Sequence, residues 1–158
     1  MRLYLVRHAH AGDRSSGHHD IYRPLSPKGH RRAESIADLL AATGVRRILS
    51  SPATRCVQTV EPLASRLGLE VEEHPDLWEG SERKRVMAVL GQGEVPMVAC
   101  SHGDIVPGVI EKVIEKGATS TGRGCEKGSI WVLDHNGRKW IHATYLDRRT
   151  DRLPDQHA

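Results

Sequence analysis

The chain has 158 residues, a formal net charge of +3 and no apolar run near the roughly 20 residues that span a bilayer, so one ordinary soluble domain is expected. Its basic residues are spread among acids, which gives composition no reason to invoke nucleic acid, and Arg7 interrupts the N-terminus too early for a signal-peptide core. Cys56, Cys100 and Cys125 are widely spaced with no CxxC pair, which argues against both a disulfide framework and a zinc site and fits a reducing cytoplasm.

In chain order, short apolar strands alternate with longer helical patterns, the mark of an α/β domain. Strands are predicted at Arg2 to Arg7, Arg47 to Ser50, Glu70 to Glu73, Pro96 to Ser101, Ser129 to Asp134 and Lys139 to Tyr145. A first helix starts at Ser26 as cap with Pro27 in its first turn and stops at Gly44, burying Ala33, Ile36, Ala37 and Leu40. A second is predicted from Ser51 as cap, with Pro52 following, to Gly68, with a kink at Pro62. A third runs from about Ser81 to Leu90, and a fourth from Asp104 as cap to Gly117. Asn136-Gly137 suits a two-residue hairpin turn between two antiparallel strands, and GATSTGRG at Gly117 to Gly124 reads as a flexible connection. Residues 1–146 are read as a single domain, and 147–158 as a loose tail with too little apolar content to pack.

In open α/β sheets, ligands bind beyond the carboxyl ends of the strands. Arg7 and His8 follow the first strand, SSPATR with Arg55 the second, and SHGD with His102 the fourth. Two arginines can hold a phosphoryl group by its paired oxygens, and a neutral imidazole can attack phosphorus. Taken singly, a histidine closing a strand is a polar loop residue and an arginine in a first helical turn is a surface cation; only their convergence makes a site. Arg14, Arg23, Lys28, Arg31 and Arg32, with His10, His18, His19 and His30, form a local basic excess that is either a solvated face or a rim drawing in an anion.

VRHA at Val6 to Ala9, RPLSPKG at Arg23 to Gly29, ILSSPATRCVQT at Ile48 to Thr59 and CSHGD at Cys100 to Asp104 together resemble the histidine phosphatase superfamily, in its phosphoglycerate mutase-like branch. Within it the chain resembles small phosphohistidine phosphatases, and the phosphatase domain that follows a Nudix domain in actinobacterial proteins. The resemblance implies a three-layer α/β/α sandwich with a mostly parallel central sheet, and a phosphatase acting without metal or cofactor through a phosphohistidine on His8. It implies that Arg7, His8, Arg55 and His102 bind the phosphoryl group. Leu77-Trp78-Glu79 resembles the element supplying the proton donor, which makes Glu79 the candidate acid, with Asp104 an outside choice. Ala9 stands where the Arg-His-Gly triad of most members has glycine. The implied substrate is a phosphorylated small molecule, a nucleotide or a phosphohistidine protein, with no nucleic acid or membrane partner.

Other chemistries fit less well. A cysteine phosphatase needs arginine six positions after cysteine, where this chain has Pro62, Val106 and Trp131. GATSTGRG lacks the lysine and hydroxyl of a phosphate-binding loop. His10, Asp13, His18, His19 and Asp20 lack ligand spacing on a rigid element, so no functional metal is expected. The alternative from another class is a catalytically weak module that uses the same four residues to bind a phosphorylated protein or nucleotide.

Overall fold

The structure, a computed structural model, describes residues 1–14, 19–91 and 95–156. Its elements are strands β1 (Arg2–Arg7), β2 (Arg47–Ser50), β3 (Val71–Glu73), β4 (Met97–Ser101), β5 (Thr119–Thr121), β6 (Ile130–His135) and β7 (Trp140–Leu146), with helices α1 (Pro27–Leu40), α2 (Thr54–Leu67), α3 (Arg83–Leu90) and α4 (Val106–Glu115). The seven strands form one sheet in the order β3-β2-β4-β1-β6-β7-β5. β2 pairs in parallel with β3 and β4, β4 with β1, and β5 with β7, whereas β6 runs antiparallel to β1 and β7. The expected mixed, mostly parallel α/β sheet is present.

The central strands are apolar on both faces because both are covered. In β1, Leu3 and Leu5 join Val86, Val89, Val109 and Val113 of α3 and α4 in one core. Tyr4 and Val6 point the other way, to Ile36, Leu40, Val60 and Leu63 of α1 and α2. This period of two, read against helices on either side, makes the three layers. Each leucine fully buried in them contributes about 1.5–3 kcal/mol over exposure.

Register positions the chemistry. Arg7 lies opposite Ser101, and Ser50 opposite Cys100, so the carboxyl ends of β1, β2 and β4 reach one edge of the sheet together. Because β6 is antiparallel to β1, the loop entering β6 arrives at the same edge: Gly128 N–H donates to the carbonyls of Arg7 and His8, and Arg7 N–H to that of Ser129.

Helix α1 starts as its sequence implies, with Ser26 Oγ accepting from Gly29 N–H and Pro27 in the first turn. Gly29 is also obligatory by contact, since a Cβ there would lie 2.0 Å from the carbonyl oxygen of His10. Two expected caps are corrected. Helix α2 begins at Thr54, with Ala53 at the cap position, and the Ser51 hydroxyl is drawn to His102 instead. Helix α4 begins at Val106, and Asp104 uses its carboxylate on Gly80 N–H at 2.7 Å. Pro62 sits inside α2 without ending it.

Three other expectations change. Thr119–Thr121, read as a flexible connection, is strand β5, whose β-branched threonines pair with β7 while glycines at positive φ flank it at Gly117 and Gly122. The hairpin at Asn136-Gly137 needs four residues, because Asn136 Oδ1 accepts from the N–H groups of Arg138 and Lys139 and widens the turn. In the segment after β7, read as loose, the described residues include two that are tied down: Leu153 packs on the α1/α2 core, and Arg2 donates to the Pro154 carbonyl at 2.8 Å while bonding the Asp134 carboxylate. One leucine and a backbone acceptor suffice where composition gave too little.

Candidate active site

His8 stands just past β1 and is only 6% exposed. Its N–H donates to Ser101 O, and the following Ala9 N–H donates to Thr59 Oγ1, which itself donates to the Arg55 carbonyl. The histidine turn is thereby bolted to β4 on one side and to the first turn of α2 on the other. The imidazole Nδ1 lies 2.8 Å from the carbonyl of its neighbour Ala9. A carbonyl can only accept, so Nδ1 carries the proton and Nε2 is left with its lone pair. Burial lowers the His8 pKa to about 3; the Ala9 carbonyl opposes this, and Arg55, His102 and Arg7 add to the lowering. His8 is a neutral imidazole across the physiological range.

Arg55 comes from the first turn of α2, is 1% exposed, and places its guanidinium among four acceptors. Nη1 donates to the Asp20 carbonyl at 2.9 Å, while Nη2 lies 3.3 Å from Asp20 Oδ2, 3.6 Å from Glu79 Oε2 and 3.4 Å from His102 Nδ1. Guanidinium cannot accept, so His102 Nδ1 is the acceptor here and His102 Nε2–H points to Ser51 Oγ at 2.8 Å. Trp78 packs edge-on to His102 with ring centroids 5.1 Å apart, its ring centroid 5.7 Å from the Arg55 guanidinium. The rings of His8 and His102 sit 5.5 Å apart.

Arg7 donates to the Cys125 carbonyl at 2.6 Å, and its Nε is buried with no partner, as is the Nε of Arg55. Gly103 makes room for this arginine: a Cβ there would fall 2.6 Å from Arg7 Cζ. Replacing Gly103 with alanine is therefore expected to push the guanidinium aside while sparing the backbone. We expect a fall of about tenfold to a hundredfold in kcat/KM for a phosphoryl substrate, the cost of misplacing a charged donor by about 1 Å. Steady-state kinetics together with an unchanged thermal midpoint would check it.

The structure gathers all five sequence-derived candidates, Arg7, His8, Arg55, His102 and Glu79, around one open cavity of about 680 Å³. Asp104 also lines it, but its Oδ2 is engaged by Gly80 N–H. The basic run after His8 is divided by the fold. Arg14, Arg23 and His10 line the cavity, whereas Lys28, His30 and Arg31 lie exposed on α1, and Arg32 donates to the Gly128 carbonyl. His18 lies outside the described residues. Among the described residues no three His, Cys, Asp or Glu side chains come together to hold a metal ion, and no helix is long and apolar enough to cross a membrane.

Sequence reasoning missed three contributors: Asp20, the segment Cys125 to Gly128, and Thr59. The sequence offers Asp20 only as part of a metal cluster, yet its carboxylate binds Arg23 at 2.8 Å and braces Arg55. Burial pushes the Asp20 carboxyl up, but Arg23, Arg55 and Arg14 outweigh it and hold it below the usual range. The second is the segment Cys125 to Gly128, one wall of the site, which no local motif announces. Thr59 alone carried a usable signal, four residues after Arg55 and so on the same face of α2.

Comparison with known proteins agrees with this geometry. The profile described as "Histidine phosphatase superfamily (branch 1)" matches residues 3–82. Over 153 residues, 91% of this chain, the sequence is 34% identical to an 8-oxo-(d)GTP phosphatase of Mycolicibacterium smegmatis, and the match covers 47% of that protein. The chain spans about half the length, or less, of the curated relatives it first matches. Among solved structures, one named for the phosphohistidine phosphatase SixA from Agrobacterium tumefaciens superposes with a TM-score of 0.72 at 26% identity, over 92% of this chain and 97% of that one. A protein histidine phosphatase SixA complexed with tungstate shares the fold, with a TM-score of 0.72 at 22% identity over 92% and 94% of the two chains. Strand order, sequence match and the placement of His8 at the edge of the sheet lead to one assignment: the chain belongs to branch 1 of the histidine phosphatase superfamily.

Proposed function

We propose that residues 1–146 form a single histidine phosphatase domain that hydrolyses a phosphomonoester or phosphohistidine, without metal, through a phosphoryl group carried on His8. One observation carries the reading: the His8 imidazole is held neutral with Nδ1–H tied to the Ala9 carbonyl and Nε2 unprotonated, between two arginines. A nucleophile in that state needs no base to activate it. The phosphoryl oxygens replace the Glu79 carboxylate on Arg55 and take the unpartnered Nε donors of Arg7 and Arg55, while Asp20 keeps its hold on the Arg55 guanidinium. His102 is the second pocket histidine, oriented from behind by Ser51.

Nε2 of His8 bonds to phosphorus as the bond to the leaving atom breaks. Glu79, released from Arg55, supplies the leaving group's proton and then takes one from the water that hydrolyses the phosphohistidine. The name of the Mycolicibacterium smegmatis relative supports a nucleotide-derived substrate, and that of the Agrobacterium tumefaciens structure a phosphohistidine.

Rapid quench after mixing with phosphoryl-labelled acetyl phosphate or p-nitrophenyl phosphate tests the reading. An acid-labile, alkali-stable adduct that maps to His8 is expected, and it should vanish in His8→Ala. An adduct surviving in His8→Ala removes the assignment. Tight phosphate binding with no adduct would instead favour a phosphate-binding module.

A further inference from the structure

The cavity is lined by cations beyond the two arginines that flank His8. Beyond Arg7 and Arg55, it is lined by Arg14, Arg23 and Lys127. Arg23 is braced, with Nε on Asp20 Oδ1 and Nη1 on the Gly12 carbonyl at 2.7 Å. Arg14 is exposed and reaches Asp20 and Glu79 only at 3.9 and 4.0 Å. Lys127 is exposed and has no carboxylate partner among the described residues. Its backbone is nonetheless fixed, because Gly128 N–H next to it bonds the carbonyls of Arg7 and His8 and Cys125 O two residues before it holds the Arg7 guanidinium.

Carboxylates line the cavity too, at Asp13, Glu79 and Asp104. Glu79 faces Arg55 and Arg14, and Asp104 is engaged by Gly80 N–H, so neither is paired with Lys127. Partial burial, then Arg7, Arg23, Arg14 and Arg55 in turn, all push the Lys127 ammonium below its ordinary pKa. Asp20 and Glu79 lie among the arginines, but among the described residues no carboxylate pairs with Lys127. The cavity volume of about 680 Å³ falls within the roughly 300–1,000 Å³ range of small-ligand pockets, far larger than a phosphoryl group alone needs.

We infer that Lys127, with Arg14 and Arg23, forms a second anion subsite beside the phosphoryl pocket, and that the favoured substrate carries a second phosphate bonded to the first, as in a nucleoside diphosphate or triphosphate. This rests on the phosphatase reading and narrows its substrate. Lys127 is the cation of this group without a carboxylate partner among the described residues, and a phosphate offers several anionic oxygens for it and the two arginines to share. On such a substrate Nε2 of His8 bonds to the terminal phosphorus, and the bond from that phosphorus to the bridging oxygen breaks. The electron pair leaves on the departing phosphate. Water then displaces the imidazole, delivering OH to phosphorus and a proton to solvent, and orthophosphate is released. A phosphate leaves more readily than an alkoxide, so the demand on Glu79 is lower.

The test uses the full chain and non-hydrolysable probes, so it does not depend on turnover. Binding of methylenediphosphonate, phosphonoacetate and methylphosphonate is measured by calorimetry on the wild type and on Lys127→Gln and Lys127→Arg. Methylenediphosphonate is expected to bind about tenfold tighter than either other probe, an advantage lost in Lys127→Gln and retained in Lys127→Arg, in line with one charge-assisted contact. Equal affinity for all three in the wild type overturns the subsite, and so does an advantage that survives Lys127→Gln. Phosphonoacetate matching methylenediphosphonate makes the second group a carboxylate and overturns the diphosphate assignment. Adduct formation on His8 without this discrimination would leave the phosphatase standing and the subsite refuted. Discrimination without an adduct would do the reverse.

Discussion

Exchanging Arg55 for lysine is expected to lower kcat/KM by about a hundredfold to a thousandfold, the range seen when a preorganised donor to a developing oxyanion is removed. The charge is retained, so the loss measures the guanidinium fork. Arg55 presents Nε, Nη1 and Nη2 in a fixed plane, and its Nε has no partner in the protein. Lysine has one ammonium on a flexible stem and cannot meet two phosphoryl oxygens in parallel. Arg55→Met should go further and also lower stability, because Asp20 and Glu79 then face the same space without their shared cation. Adding Asp20→Asn to Arg55→Met should restore part of the lost stability, with a coupling of about 1 kcal/mol in a double-mutant cycle. Urea melts of the four proteins supply the cycle, and strictly additive effects would mean that Asp20 does not brace Arg55. In the wild-type background, Asp20→Asn should loosen the guanidinium and raise KM more than it lowers kcat.

The site was legible where its parts lie at the ends of strands. Arg7, His8 and His102 follow apolar runs whose carboxyl ends must share an edge once β1, β2 and β4 are parallel, and Arg55 follows from the helix that leaves β2. The local sequence needed only a topological rule to bring them together. Asp20 and Lys127 were not legible in that way. Each reaches the site through long-range pairing: Asp20 through a short turn docked on Arg55, Lys127 because β6 runs antiparallel to β1. Nothing within EKG at Glu126 to Gly128 encodes that neighbour. The caps were misread for a related reason. Ser51 and Asp104 have good capping chemistry, but Ser51 Oγ meets His102 and Asp104 meets Gly80, and these tertiary partners decide their roles. β5 was missed because three exposed residues between glycines leave no apolar alternation to read.

His8 should also mark itself in the pH dependence of stability, with a sign opposite to that of a salt-bridged histidine. In the unfolded chain a histidine titrates at 6.5, whereas in the native state burial, with Arg55, His102 and Arg7, lowers this one to about 3. Above pH 6.5 both states hold a neutral imidazole, and the contribution of His8 is fully present. As pH falls below 6.5 the unfolded state gains a proton that the native state refuses. Stability is then lost, with a slope approaching about 1.4 kcal/mol per pH unit, until the native imidazole also titrates near pH 3. Carboxylates titrate over part of the same window, so the measurement is a difference. His8→Gln keeps an N–H donor for the Ala9 carbonyl but cannot titrate, and urea melts of the two proteins at pH 7.5, 6, 5 and 4 should diverge steadily. The wild type loses more at each step, because a buried imidazole kept free of protons is an acid liability to the fold. Parallel curves would show that His8 is not held neutral, and the nucleophile would then need a base that the site does not supply. The same shift predicts that the rate of adduct formation at pH 5, with substrate saturating, is not limited by protonation of His8. A limb near pH 6.5 that remains when His10 and His102 are each replaced by glutamine would contradict it.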